Sequence, residues 1–200
     1  MKEYIEQNKI LLNHFKPLEE KHILDEVNYS IKIRQIKKDE HILKEGNSSD
    51  TITYIIKGCF RQYSELQGNE VNFLFYFETD FVLDYLSFLT NSFSKYNIIA
   101  IEDSTILEIK KKDLNALKSR DVLWDLFLKN VAEKEIIRLY KRNEVLLTLT
   151  PEERYLKLLD VHPQIMQRVS QRKIATFIGI TEQSLSRIRK RIFTKPPNLP

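Results

Sequence analysis

The sequence predicts an α+β protein: an N-terminal antiparallel β-roll of jelly-roll type, a long dimerisation helix, and a C-terminal helix-turn-helix. Three observations carry this. Between Ser30 and Lys110, β-branched and period-two runs recur, split by turns. Residues 112–148 then follow a helical period. Residues 171–190, QRKIATFIGITEQSLSRIRK, have the spacing of two short helices around a tight turn. The predicted divisions are 1–111 for the roll with its N-terminal helices, 112–149 for the long helix and 150–200 for the helix-turn-helix domain.

Residues 2–15 place Tyr4, Ile5, Leu11, Leu12 and Phe15 at helical spacing, and Pro17 stops that helix and opens a second through about Val27. The strand runs are IKIRQI, TITYIIKG, FRQYSE, NEVNFLFYF and NIIAIEDSTILEI. Turn signals KEGNSSD, LQGNE and IED separate or interrupt them. Asp84 to Tyr96, DYLSFLTNSFSKY, breaks the β pattern and reads as a short helix followed by a loop. Such an insertion can cradle an anion with backbone N–H groups, or simply connect two strands. Phe73, Phe75, Phe77, Phe81, Phe88 and Phe93 crowd this region, which predicts a predominantly apolar pocket or none.

The long helix carries Trp124, Phe127, Leu128, Val131, Ala132, Ile136, Leu139, Leu146 and Leu147 as a broad apolar stripe. Asp113 is expected to cap its first turn, with a break near Ser119–Asp121. Lys134, Glu135, Arg138, Lys141 and Arg142 are expected on the opposite face. The stripe is too wide for the roll alone to cover, so it predicts a dimer seam. Packing along its own roll is the other reading, and both can hold together. Thr150-Pro151-Glu152-Glu153 opens a new helix with an N-cap, a first-turn proline and early acids. His162-Pro163 ends it, and a short helix leads through Val169 into the helix-turn-helix.

Within residues 171–190 every interior position is apolar or small: Ile174, Ala175, Ile178, Ile180, Leu185 and Ile188. Gly179 stands where the turn needs positive φ, and Thr181 stands as N-cap of the second helix. The other positions of that helix, from Glu182 to Arg191, are polar or basic. From Thr150 to Pro200 there are ten Lys/Arg and four Asp/Glu, a net of +6. The remaining 149 residues hold 22 Lys/Arg and 24 Asp/Glu, a net of −2. Positive charge concentrated on a helix pair is the footprint of a phosphate-backbone binder, so double-stranded DNA is the expected partner.

Other chemistries find little support. No apolar run approaches the ~18 residues of a membrane helix, and the N-terminus does not read as a signal peptide. One cysteine, Cys59, excludes internal disulfides and a four-cysteine iron–sulfur cluster, and fits a reducing cytoplasm. His14, His22, His41 and His162 lack metal-ligand spacing. No glycine-rich phosphate loop, nucleophile elbow or zinc spacing occurs, so no enzyme is expected. A cupin-like metal enzyme would need a His and carboxylate cluster on the strands, where only His41 stands at an edge.

The order of elements and the stretch IATFIGITEQSLSRIRK resemble the Crp/Fnr family of bacterial transcription regulators, from about Ser30 to Arg191. The resemblance implies a cyclic-nucleotide-binding-like roll, a C-terminal domain that is winged-helix-like with its wing truncated, and a homodimer reading a two-fold symmetric operator, with RNA polymerase as a further partner. The family's base-reading positions fall on Glu182, Gln183 and Arg187. An arginine fork matches the guanine O6/N7 edge, a glutamate accepts from cytosine N4, and a glutamine suits adenine. Gln171, Thr181, Ser186 and Lys190 would hold phosphates and fix register. The chain runs out at FTKPPNLP, which leaves little room for a wing.

Cyclic-AMP binders of the family carry Gly-Glu at the start of the short helix and Arg-Ser at the end of its loop. Here Leu83-Asp84 and Ser94-Lys95 stand at those places. Lysine does not reproduce a bidentate arginine contact, and leucine obstructs close backbone approach. The resemblance therefore implies an effector site degenerate for cyclic AMP, no cofactor, and an effector still to be identified if one exists. The alternative is a small-molecule sensor acting through protein–protein contacts, its helix-turn-helix serving as an interaction module.

Overall fold

The structure, a computed structural model, describes residues 30–194. The two expected N-terminal helices and the wing segment lie outside those residues. Eight strands form the roll: β1 (Ile31–Ile36), β2 (His41–Leu43), β3 (Thr51–Lys57), β4 (Phe60–Leu66), β5 (Asn69–Tyr76), β6 (Phe81–Val82), β7 (Asn97–Ala100) and β8 (Ser104–Lys110). They make two four-stranded antiparallel sheets, ordered β1-β8-β3-β6 and β2-β7-β4-β5. The expected strand runs all form. β2 and β6 have only three and two residues, too few to show a period. The β4–β5 hairpin closes with Gln67 and Gly68 both at positive φ, as a two-residue loop of I′ type requires.

The helices are α1 (Tyr85–Thr90), α2 (Lys111–Lys118), α3 (Leu123–Thr148), α4 (Pro151–Val161), α5 (Ile165–Arg168), α6 (Gln171–Ile178) and α7 (Glu182–Thr194). The break expected near Ser119–Asp121 separates α2 from α3, with Asp121 Oδ1 accepting from Leu123 N at 2.8 Å. Lys110, not Asp113, holds the N-cap position of α2. Thr150 caps α4 in a capping box with Glu153.

Strand alternation sorts the apolar residues into three layers. Ile36, Ile55, Phe60, Leu74, Tyr76 and Ile106 pack between the sheets. Ile52, Tyr54, Leu107 and Ile109 face the other way and meet Leu114, Leu117, Trp124, Phe127 and Val131 of α2 and α3. Cys59, Phe75 and Phe77 leave the second sheet on its outer side and join Tyr155, Leu158, Ile165 and Ile174 of the C-terminal domain. The crowd of phenylalanines is therefore not one pocket. Phe81 and Phe88 are core, Phe75 and Phe77 are docking surface, Phe73 packs edge-on against Tyr96, and Phe93 is exposed.

The charged face assigned to the long helix is corrected by the structure. Positions 131, 135, 138 and 142 lie within about 60° of one another at 3.6 residues per turn. Glu135 is accordingly buried, and Arg138 and Arg142 are half-buried toward the roll. Ile136, Leu139 and Leu147, expected on the same stripe as Trp124, are exposed. The helix has two apolar faces, which the reading of one broad stripe merges. Among the described residues no helix is long and apolar enough to cross a membrane.

Candidate nucleic-acid interface and effector cavity

The helix-turn-helix is built by local chemistry. Ile180 N donates to Ala175 O at 3.0 Å and Gly179 N to Thr176 O at 3.2 Å, the paired bonds of a Schellman stop with glycine at φ 79°. Thr181 Oγ1 then accepts from Ser184 N at 3.2 Å and starts α7. Leu185 and Ile188 turn inward onto Ile174, Ala175 and Ile178. The opposite side of α7 is left to solvent.

Of the residues picked from the sequence, Thr181, Glu182, Gln183, Ser186, Arg187 and Lys190 are exposed, and Gln171 is half-buried at the start of α6. Gln183, Ser186, Arg187 and Lys190 share one helix face by their spacing. Arg187 Nη2 reaches Ser184 Oγ at 3.4 Å. The Thr181 hydroxyl also donates to Ser184 Oγ, so its cap bonds must be shared with any phosphate. Arg191 is tied to Glu152 of α4 by an ion pair.

The second site lies where α1 and its loop meet the long helix. Asp84 caps α1: one carboxylate oxygen accepts from Ser87 N at 3.2 Å, the other from Ser94 Oγ at 2.7 Å. Ser94 Oγ accepts in turn from Tyr96 N at 3.0 Å. Both Asp84 and Ser94 are buried in this closed network, while Lys95 is exposed and Leu83 belongs to the core. The four residues come together as a loop clasp. They do not fit a cyclic nucleotide: the carboxylate is already occupied, serine stands for the arginine, and none of the four supplies an inward cation.

A cavity of about 450 Å³ does open beside this clasp, walled by Phe73, Leu83, Leu139 and Phe177. Gln62, Asn72, Tyr96, Glu135 and Arg142 give it polar points. Sequence reasoning missed Glu135 and Arg142. The available signal is that both continue the 127, 131 stripe at helical spacing. Glu135 is 6% exposed, and burial holds its carboxyl above the usual range against the pull of Arg138, 3.9 Å away.

The roll and the helix-turn-helix touch directly. Asn72 Nδ2 donates to Thr176 Oγ1 at 2.8 Å, Phe75 packs on Phe177, and Phe77 stacks on His162. Arg168 makes two bonds to Glu78, at 2.8 and 2.9 Å, and two to Glu102, at 2.5 and 3.4 Å. Arg154 ties the hinge, donating to Leu146 O, Leu149 O and Ile178 O at 2.7, 2.9 and 3.0 Å. These carbonyls end or follow α3 and α6, where a cation is favoured. Cys59 is buried against the interface, and burial pushes its thiol up to about 12, which leaves it inert as a nucleophile.

A jelly roll joined through a long helix to a docked helix-turn-helix defines a two-domain architecture. The cyclic nucleotide-binding domain family matches residues 33–121, and the fold is the one seen in solved structures of Crp/Fnr type. FixK2 from Bradyrhizobium japonicum is 20% identical over 82% of this chain and 85% of its own, with a TM-score of 0.66. The c-di-GMP responsive global regulator CLP from Xanthomonas campestris is 18% identical, over 85% of this chain and 90% of its own, TM-score 0.67. A regulator of the crp/fnr family from Eubacterium rectale is 14% identical, over 87% and 84%, TM-score 0.69. At these identities the likeness is one of fold. No curated protein sequence matches.

Proposed function

We propose that this chain is a homodimeric, non-enzymatic transcription regulator of Crp/Fnr type, acting in the cytoplasm on a two-fold symmetric DNA site. The observation that carries this reading is α7, which buries Leu185 and Ile188 while exposing Gln183, Ser186, Arg187 and Lys190 along one side. Glu182, Gln183 and Arg187 are assigned to bases, and Gln171, Thr181, Ser186 and Lys190 to the backbone. RNA polymerase is a proposed further partner. Selection of random duplex DNA by the purified chain, without added ligand, tests the reading. Enrichment of a palindromic site is expected. No enrichment with or without cell extract would leave the helix-turn-helix as an interaction module, the alternative reading.

Arg187→Ala is expected to weaken binding by about 1–3 kcal/mol and to relax the preference at one base pair. Binding measured on single-base variants of the selected site checks this, and a uniform loss over all of them counts against a base-reading role.

The dimer is assigned to the outer face of α3. Val122, Leu126, Ile136, Tyr140 and Leu147 lie on one side of it, with Tyr140 72% and Leu147 76% exposed. Two copies burying such stripes against each other form a coiled-coil seam. Ile136→Glu combined with Tyr140→Glu is expected to yield a folded monomer by sedimentation, with DNA affinity reduced at least tenfold. A variant that stays dimeric places the interface elsewhere. The effector, if any, would enter the cavity beside Glu135 and not use a cyclic-phosphate site at Leu83, Asp84, Ser94 and Lys95.

A further inference from the structure

We propose a second small-molecule site in this chain, at the hinge: a cleft that binds an organic anion, a carboxylate or phosphate carried on an apolar, ring-sized body. The cleft holds about 310 Å³ between β5, the second half of α3, α4 and the end of α6. It lies beside the effector cavity and shares Leu74, Arg142 and Phe177 with it as a dividing wall. Phe75, Val145, Leu158 and Phe177 give it apolar sides.

Its charge is one-sided. Among the described residues, Arg138, Lys141, Arg142, Arg154 and Lys157 line it against a single acid, Asp80, while burial lowers the His162 pKa and keeps that ring neutral. Asp80 is already taken by Arg138, and Lys157 pairs with Asp160 at 3.0 Å. Among the described residues Arg142 donates only to the carbonyls of Phe73 and Phe177, and Arg154 only to carbonyls. Lys141 is exposed at the mouth and has no acid partner among the described residues. Arg138 Nη1 is buried with no hydrogen bond.

Carbonyl bonds orient a guanidinium but leave its net charge in place. Burial and the nearby Arg154 lower Arg142 to about 10, which records the cost of that uncompensated charge. An anion between Arg142 and Lys141 would supply the missing counter-charge through charge-assisted bonds. An apolar body would cover the four walls, as small-molecule sites commonly require. Such a ligand touches the roll, α3, α4 and α6 together, so binding would stabilise the docked arrangement of the two domains by mass action.

The test is calorimetric titration of the full chain at fixed ionic strength with phenyl phosphate and, separately, inorganic phosphate. Phenyl phosphate is expected to bind saturably, one per chain, with Kd below about 1 mM and at least tenfold tighter than phosphate. Lys141→Glu is expected to weaken it at least tenfold, and so is Arg142→Gln. If Arg142→Gln fails to fold, the exposed Lys141 variant still decides. Absence of saturable binding, or binding untouched by Lys141→Glu, overturns the site. Arg187→Ala reports the competing basic surface: if it weakens binding as much as Lys141→Glu, the anion sits on the recognition helix and the hinge assignment falls.

Discussion

Gly58→Ala is expected to destabilise the roll by roughly 3–5 kcal/mol, among the largest effects available to a single methyl group. Gly58 joins β3 to β4 at φ 122°, a backbone conformation that side chains strain. An added Cβ would lie 2.0 Å from Ser104 Oγ and 2.9 Å from Ser104 Cα. The hydroxyl could turn away, but the Cα belongs to β8, which is hydrogen-bonded on both sides. The neighbouring strand would have to move. Its shift would also disturb the bond from Gly58 N to Glu78 Oε1, now 2.8 Å. Gly46, at φ 83°, has nothing within 4 Å of its added Cβ. Gly46→Ala is therefore expected to cost only backbone strain, about 1 kcal/mol. Urea denaturation of the two variants checks the contrast. Equal losses would show that φ alone matters at Gly58 and that the close approach to Ser104 does not.

Arg168→Met is expected to loosen the docking of the helix-turn-helix on the roll by about 2–3 kcal/mol, the scale of charge-assisted hydrogen bonds reduced by partial solvent screening. The arginine comes from α5, and its partners Glu78 and Glu102 come from the roll. Removing it takes away the bonds and leaves two carboxylates facing each other. The expected readout is a second, earlier thermal transition and faster proteolysis at the hinge around Leu149.

The same clamp carries a pH signature. Burial alone pushes the Glu78 carboxyl up, but the Arg168 bonds and the Gly58 N–H outweigh it and hold it down at about 2. The folded value lies below the ordinary 4.5, so the clamp's contribution is fully present above about pH 4.5. It is lost as pH falls toward 2, where the folded carboxyl takes up a proton. Wild-type docking should weaken across that window, while Arg168→Met should lack this component. Identical acid profiles for the two proteins would rule out the clamp as the source.

Most of the local architecture is legible in the sequence because its causes are local. Gly179 and Thr181 specify the turn by backbone freedom and capping, whatever surrounds them. Thr150, Pro151 and Glu153 specify the start of α4 in the same way. The strand runs announce themselves by β-branched content, and Asp84 to Tyr96 by its break with that pattern. The candidate DNA-contacting face is legible for a related reason: polar residues left over after the apolar spacing is satisfied must point outward.

The failures share another cause. Along β5 and just past it both faces are apolar, so alternation cannot say which residues point between the sheets. Leu74 and Tyr76 go inward, while Phe75 and Phe77 go outward to the C-terminal domain. Charge alone puts Glu135, Arg138 and Arg142 in solvent, because charge ordinarily goes there. Their spacing from Val131 points to the roll instead, and the roll's polar cavity makes that placement tolerable.

The sequence by itself determined the order of elements, the helix-turn-helix, the basic C-terminal domain and the absence of the Gly-Glu and Arg-Ser pairs, since each depends on residue type and spacing along the chain. Only the tertiary structure decided that Asp84 and Ser94 close on each other, that α3 has one face for the roll and another free, and that Arg168 bridges two domains. Those outcomes depend on which surfaces meet between segments far apart in the chain, where burial and pairing free energies outweigh the preferences of any single segment.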